Sequence, residues 1–129
     1  MSKILRFEDL ENWQLARELC NDIYEIAQNP DLKTDYKLYN QIDGSSGSIM
    51  DNIAEGFERN GNKEFIQFLS ISKGSCGETR SQLYRVLDRK YISIDKFEIT
   101  KEKTIVLSKK ISSFMTYLSK SDYKGSKYK

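Results

Sequence analysis

The chain of 129 residues contains no histidine and only one proline. Without histidine there is no imidazole for a Ser-His-Asp triad or for the Glu-x-x-His di-iron signature of ferritin-like bundles. A single proline removes the commonest helix breaker, and 31% charged residues beside 38% hydrophobic residues are typical of helix-rich proteins. We therefore expect an all-α protein that is not an enzyme and binds no cofactor.

Long hydrophobic runs and a cysteine framework are also missing. No apolar run approaches the roughly 18 to 20 residues of a membrane span, and residues 1–10 lack the apolar core of a secretion signal. Cys20 and Cys76 are too few for a disulfide framework and show no metal-ligand spacing. The sequence thus predicts a cytoplasmic protein with free buried thiols and no membrane partner.

Charge is distributed unevenly along the chain. Residues 1–100 hold 13 Lys and Arg against 17 Asp and Glu, whereas residues 101–129 hold 8 against 2. A basic end can attract nucleic acid or another acidic surface, and it can equally be a solvated tail. Charge alone does not decide between the two.

Apolar residues repeat at spacings of three and four along most of the chain. This pattern predicts four helices, over about residues 9–28, 35–60, 62–90 and 93–119. Asp9, Asn62 and Ser93 are the expected N-terminal caps of the first, third and fourth helices. Pro30 is expected to end the first helix, and Gly61 to stop the second in a left-handed conformation.

The second helix contains a segment that resembles a flexible linker, Asp43-Gly-Ser-Ser-Gly-Ser48. Each interior glycine costs a helix roughly 1 kcal/mol relative to alanine. However, the apolar residues on either side share one face only if the helical period continues unbroken through the glycines. We therefore predict one continuous helix. These apolar residues are Leu38, Ile42, Ile49, Ile53 and Phe57.

Short connections between four long helices predict an antiparallel up-down-up-down four-helix bundle. One domain over residues 1–119 accounts for all the periodic sequence. Residues 120–129 have no apolar period, so we expect a basic, disordered tail.

Two lines of polar or small residues stand apart from the apolar faces. A polar seam runs along the second helix at the spacing of a contact between helices. A solvated face normally carries Lys and Glu freely rather than small hydroxyl and amide side chains at this spacing. The seam consists of Gln41, Ser45, Ser48, Asn52, Glu55 and Arg59. A small-residue stripe on the third helix consists of Ser70, Gly74, Gly77 and Ser81. Both are interpreted as assembly interfaces of a homo-oligomer. The alternative is that both face water or another helix of the same bundle.

Candidate ligand sites are few. Asp51, Glu55 and Glu78 could form a carboxylate cluster for a hard metal, but a surface pair between Glu55 and Arg59 is the favoured interpretation, so no metal is predicted. The candidate nucleic-acid contacts are basic residues late in the third helix and on the fourth, namely Arg85, Arg89, Lys90, Lys109 and Lys110. The alternative is a solvated charged face interleaved with Asp88.

Several short motifs resemble those of a known family. They are Gln41-Ile42, Ser48-Ile49, Asn52-Ile-Ala-Glu-Gly56, Phe65-Ile-Gln-Phe-Leu69 and Gly74-Ser75 to Glu78, with Phe7 to Trp13 ahead of them. Over roughly residues 7–118 the chain resembles the four-helix bundle proteins encoded within intervening sequences of bacterial 23S rRNA genes. It is also similar, more remotely, to accessory bundle proteins of diversity-generating retroelements, which are pentameric and bind nucleic acid and a reverse transcriptase.

The resemblance implies a four-helix bundle that assembles into a homopentamer without known catalysis. Members of the family commonly carry a basic residue soon after the Gln-Ile pair, whereas this chain has Asp43-Gly44. Two hypotheses follow. The first is an oligomeric protein that binds structured RNA or a nucleoprotein, and the second is a protein scaffold for a partner such as a polymerase.

Overall fold

A computed structural model describes residues 3–121 of the chain. Within that range the protein is all-helical and contains no strand, which confirms the all-α part of the predicted fold class. A 3-10 turn over Phe7–Asp9 precedes five α-helices. These are α1 (Glu11–Ile26), α2 (Pro30–Thr34), α3 (Tyr36–Phe57), α4 (Asn62–Asp88) and α5 (Ile94–Lys120).

The long helices correspond to the four that the apolar spacing predicts, and their ends differ from the predicted ends by at most three residues. Helix α3 runs unbroken through both glycines of the linker-like segment, as predicted. The apolar residues that argued for continuity are all buried, with Ile42, Ile49 and Ile53 fully so. Burial of these side chains therefore offsets the helix-breaking tendency of Gly44 and Gly47.

The predicted first and second helices leave residues 29–34 between them as a linker, which is wrong, because residues 30–34 form the short helix α2. Pro30 begins this helix instead of ending the one before it, since a proline at the first helical position has no amide hydrogen to leave unpaired. Asn29 caps α2 by accepting hydrogen bonds from the backbone amides of Asp31 at 2.9 Å and Leu32 at 3.3 Å. Leu32 is completely buried and ties this turn to the core.

Two predicted caps are also wrong. Leu10, not Asp9, stands at the N-cap of α1, and the Asp9 carboxylate instead accepts from the amides of Leu5 and Arg6. Asn62 is the first residue of α4, and its amide group donates to the Leu118 carbonyl at 3.1 Å. Of the predicted caps, only that of Ser93 is confirmed.

The predicted role of Gly61 as the stop of the second helix is wrong in its place. Gly61 does adopt a positive φ of +89°, but α3 ends earlier, at Phe57, and Gly61 is the N-cap residue of α4. The Ser93 hydroxyl accepts from the Lys96 amide at 3.1 Å and caps α5. The two turns that flank α4 are short, so consecutive long helices fold back on each other.

Contacts across the core show how neighbouring helices run. Residue numbers fall along α4 as they rise along α3, from the Asp35–Arg89 contact at one end to the Ser72–Ile49 contact further along. Residue numbers also fall along α5 as they rise along α4, because Asn62 contacts Leu118 and Cys76 contacts Thr104. Each of the four long helices contacts two others, in the cycle α1, α3, α4, α5 and back to α1. The apolar core lies inside this cycle.

The predicted tail falls largely on residues 122–129, which lie outside the described residues. Its first residue, Lys120, is the last residue of α5. Among residues 3–121, no helix is both long enough and apolar enough to cross a membrane.

Candidate nucleic-acid interface and assembly surfaces

The polar seam lies along the contact between α3 and α4 of the same chain. Ser45 is 8% exposed, and its hydroxyl donates to Gln82 Oε1 at 2.6 Å and shares a hydrogen bond of 2.9 Å with Thr79 Oγ1. A turn further on, Ser48 Oγ lies 2.9 Å from Ser75 Oγ. Small hydroxyl side chains on both helices let the two backbones come close while these buried oxygens keep a partner.

The remaining seam residues bond locally or lie at the surface. Asn52 donates to the Ser48 carbonyl at 2.8 Å and to its hydroxyl at 2.9 Å. Gln41 accepts from Arg85 Nη2 at 2.9 Å, so the seam and the basic residues of α4 meet there. Glu55 pairs with Arg59 at 2.9 Å, with both side chains about half exposed. The exposed part of the seam is thus confined to its two ends, and its assignment to a subunit interface stays a prediction.

The small-residue stripe on α4 points outward. Ser70, Gly74 and Ser81 are exposed, and Gly77 is partly exposed. No atom lies within 4 Å of where a Cβ would stand on either glycine. Nothing in the described chain packs on these glycines, which leaves room for another molecule, and the stripe's role as an interface also stays a prediction.

The basic residues at the end of α4 form part of a hydrogen-bonded cluster with the start of α3. Arg89 Nη1 lies 2.6 Å from Asp35 Oδ2, and the Tyr91 hydroxyl donates to the same oxygen at 2.9 Å. Arg89 first, and Tyr91 second, hold the pKa of the Asp35 carboxyl below its usual value. Lys90 between them is exposed, with φ +63°. Arg85 and Arg89 are therefore partly engaged within the chain, whereas Lys90 presents a cation to solvent.

The structure does not bring Lys109 and Lys110 to that cluster. In the antiparallel pair, Asn62 contacts Leu118 and Tyr84 packs on Phe97, so Lys110 lies level with residue 70 of α4. At 1.5 Å per residue, this is about 25 to 30 Å from Arg89 along the helix axis. Lys110 also approaches Glu11, at 3.4 Å. The predicted nucleic-acid residues form two separate groups.

No metal centre is found at the carboxylates that the sequence singles out. Among residues 3–121, no group of three or more Asp, Glu, His or Cys side chains could hold a metal ion. Glu55 pairs with Arg59, as the favoured interpretation expected.

Both cysteines are free within the described range. Cys76 is buried, and burial raises the pKa of its thiol to about 11. Burial likewise raises the pKa of the half-buried Cys20. Neither cysteine has the electropositive, lowered-pKa setting of a reactive thiol.

One surface was missed by sequence reasoning, namely a groove of about 480 Å³ between α1 and α5. Its apolar lining comes from Leu15, Ile99, Val106 and Leu107, with the charged residues Glu18, Glu98, Glu102 and Lys103 around it. Ile99 and Val106 are 57% and 39% exposed. The signal in the sequence was that these two residues lie off the core stripe of α5, which a search for one apolar face ignores.

Lys103 bridges this groove. Its ammonium group lies 2.7 Å from Asp22 Oδ2 and 3.2 Å from Glu18 Oε1, both on α1. The hydrogen bond to Asp22, and after it the one to Glu18, raise the pKa of Lys103. The charge of Lys103 is thus matched within the chain, and Glu98 pairs with Lys101 at 2.9 Å. Glu102 is the acidic residue of the α5 side that has no basic partner within 4 Å among residues 3–121.

Comparison with known proteins gives two findings. The family described as 23S rRNA-intervening sequence protein matches residues 8–113. A solved structure, of a protein with unknown function from the S23 ribosomal protein family of Bacteroides thetaiotaomicron, is similar at a TM-score of 0.73 and 22% identity. The match covers 81% of this chain and 97% of that one, and it shows the shared fold. No protein with a curated description matches the chain significantly.

Proposed function

Since the chain belongs to the 23S rRNA-intervening sequence protein family, we propose that it is a homo-oligomeric helical protein that binds structured RNA or a nucleoprotein and has no catalytic activity. In this proposal the four long helices form one antiparallel up-down-up-down bundle domain, and five copies assemble. The cytoplasm is the proposed location, because ribosomal RNA lies there. The family membership carries the proposal, and the charges below support it.

Two exposed lysines fit a contact with phosphate. Lys90 and Lys109 have no acidic side chain within 4 Å among residues 3–121, unlike Arg89 and Lys110. A cation that already has a carboxylate partner releases less free energy on meeting a phosphate, because it must give up that partner. We therefore assign the main phosphate contacts to Lys90 and Lys109.

The test is filter binding of a structured 23S rRNA fragment over a range of salt concentrations. We expect retention to fall steeply as the salt concentration rises. Lys90→Ala and Lys109→Ala should each lower, by about one, the slope of the logarithm of the binding constant against the logarithm of the salt concentration. Lys63→Ala, which removes an exposed lysine outside the predicted set, is the matched control. Retention no greater than that of an acidic helical bundle would disprove RNA binding.

The second candidate is a scaffold for a protein partner such as a polymerase, with no direct contact to nucleic acid. The separation of the basic residues into two groups and the pairing of Arg89 with Asp35 favour it. Affinity capture from nuclease-treated and untreated lysates separates the two functions. A scaffold keeps its partner after nuclease treatment, whereas an RNA-mediated association is lost.

Assembly is tested independently by the mass of the purified protein in light scattering. One chain is 15.1 kDa, so five copies would measure about 76 kDa. A mass of one chain would remove the homo-oligomer from the proposal and leave the RNA test unaffected.

A further inference from the structure

The groove between α1 and α5 is an apolar surface without a cover. Ile99 and Val106 project from α5 on its side that faces α1, and Leu15 and Leu107 form the floor between the helices. Exposed apolar surface that is rimmed by charge commonly marks a contact with another protein. The chemistry of the rim indicates what kind of surface fits.

The rim of the groove is acidic. Glu18, Glu98 and Glu102 surround it. Lys103 is shared between Glu18 and Asp22 of its own chain, and Glu98 pairs with Lys101 at 2.9 Å. Glu102 has no basic side chain within 4 Å among residues 3–121. A surface that complements the groove should therefore carry unpaired cations beside apolar side chains.

Another side of the same molecule has those properties. Lys73, Gly77, Arg80 and Tyr84 are spaced four, three and four residues apart and so share one line along α4. This line lies next to α5, because the Tyr84 ring packs on Phe97 with 4.9 Å between ring centroids. We call it the basic line.

The basic line is open to a partner. Neither Lys73 nor Arg80 has an acidic side chain within 4 Å among the described residues, and Tyr84 is 46% exposed. A Cβ added at Gly77 would meet nothing within 4 Å, so another helix can approach closely between the two cations.

The groove and the basic line stand at the same level along α5. The contacts of Cys76 with Thr104 and of Tyr84 with Phe97 place the basic line beside residues 97 to 107. The groove is lined on α5 by residues 98 to 107. Two copies side by side therefore bring the surfaces together with no shift along the helix axis, which favours a closed ring over an open filament.

The angle between the two surfaces also fits a ring. They lie on neighbouring sides of the helix cycle and share α5, so they face roughly a right angle apart. Head-to-tail contact closes a ring of four when the surfaces diverge by about 90°, and a ring of five at about 108°. Surfaces on opposite sides of the molecule would not close a ring of four or five copies.

We propose that the acidic groove of one copy receives the basic line of a second copy, so that this chain assembles head to tail through α1 and α5 on one side and α4 and α5 on the other. In this arrangement Arg80 of one copy lies level with Glu98 and Glu102 of the next. The inference rests on the proposed homo-oligomer and specifies its interface. It includes Gly77 from the small-residue stripe and leaves out the polar seam, whose buried hydroxyls bond within the chain.

Two double variants and one single control variant test the interface, with the mass of each measured by light scattering. The groove variant, Ile99→Asp with Val106→Asp, and the line variant, Lys73→Glu with Arg80→Glu, are each expected to be monomers. Ile71→Asp is the matched control, because Ile71 is 52% exposed on α4 and lies off the basic line. It is expected to keep the mass of the unchanged protein.

Mixing the groove variant with the line variant distinguishes head-to-tail contact from a symmetric one. Each variant keeps one intact surface, so the mixture should form a dimer of about 30 kDa, twice the mass of one chain. Absence of this dimer overturns the head-to-tail arrangement. If the groove variant keeps the mass of the unchanged oligomer, the inference fails while the homo-oligomer stands.

If the aspartate variants fail to fold, as shown by loss of their helical circular dichroism signal, a charge exchange tests the same interface. Glu102→Lys and Arg80→Glu are each expected to lower the oligomer mass, and the double variant to restore it. If the oligomer mass of the double variant is no larger than that of the single variants, the pairing of these two surfaces is overturned. A monomeric unchanged protein would remove both this inference and the proposed homo-oligomer.

Discussion

Asp35, just before α3, and Arg89, just after α4, are joined by a contact of 2.6 Å that ties together the ends of the two helices. The Tyr91 hydroxyl adds a second hydrogen bond to the same carboxylate oxygen. Two donors on one oxygen make the ionised form of Asp35 more favourable in the folded protein than in the unfolded chain, so this contact depends on pH.

Asp35→Asn should lower the melting temperature at neutral pH, and the difference should disappear in acid. Because Arg89 and Tyr91 lower the pKa of Asp35 in the folded state, the stabilisation is present above the unfolded pKa of about 4. It is lost as the pH falls through the lower folded pKa. Thermal unfolding across this range measures it, and a difference that persists unchanged in strong acid would contradict the cause given.

Gly56→Ala should destabilise the protein by about 1 to 3 kcal/mol. A Cβ at Gly56 would lie 2.7 Å from both Phe65 Cδ1 and Phe68 Cβ, so α4 would have to move. Urea unfolding at a fixed protein concentration measures the change. Gly44→Ala is the matched control, because nothing lies within 4 Å of its Cβ position, and it should stabilise by about 0.5 to 1 kcal/mol. Equal effects at both glycines would contradict the packing argument.

Ser45→Ala should cost about 1 to 3 kcal/mol, since it leaves the buried Gln82 Oε1 without the 2.6 Å hydrogen bond that it accepts. Ser112→Ala removes an exposed serine from α5 and should change the free energy of unfolding by less than about 0.5 kcal/mol. Chemical denaturation of both variants gives the comparison. If the two serines proved equivalent, the α3–α4 hydroxyl contacts would contribute little to stability.

Lys90→Gly should stabilise the protein by about 1 kcal/mol, because φ +63° is unfavourable for a residue with a Cβ and free of cost for glycine. Lys96→Gly, within the first turns of α5, should destabilise instead. The same Lys90 variant should lower the salt dependence of RNA binding. A stability gain with weaker RNA binding would show that a strained conformation is retained at this lysine for its charge.

Cys76 should react with a thiol reagent much more slowly than Cys20 in the folded protein. With a pKa of about 11, only about one in a thousand Cys76 thiols is ionised at pH 8, and the side chain is also buried. Cys76→Ala and Cys20→Ala assign the fast and slow phases of labelling. Rapid labelling of Cys76 without denaturant would mean that α4 and α5 separate readily.

The periodic sequence was enough to predict the long helices, because burial of an apolar stripe requires a regular spacing that can be counted. That is why α3 could be extended through Gly44 and Gly47, and why its large apolar core positions were all predicted. Local terminal signals were less informative. Pro30 is compatible with either end of a helix, and Asn62 found a distant partner in the Leu118 carbonyl instead of capping its own helix.

The sequence by itself thus determined the helices, their apolar faces and the family resemblance, all of which depend on residues near each other in the chain. Only the tertiary structure decided which polar residues have partners. Ser45 and Ser48 bond to α4, Arg89 pairs with Asp35, and Lys109 lies far from Lys90, because these relations depend on which helices are neighbours. The groove between α1 and α5 was invisible for the same reason, since its walls come from helices more than 60 residues apart in the chain.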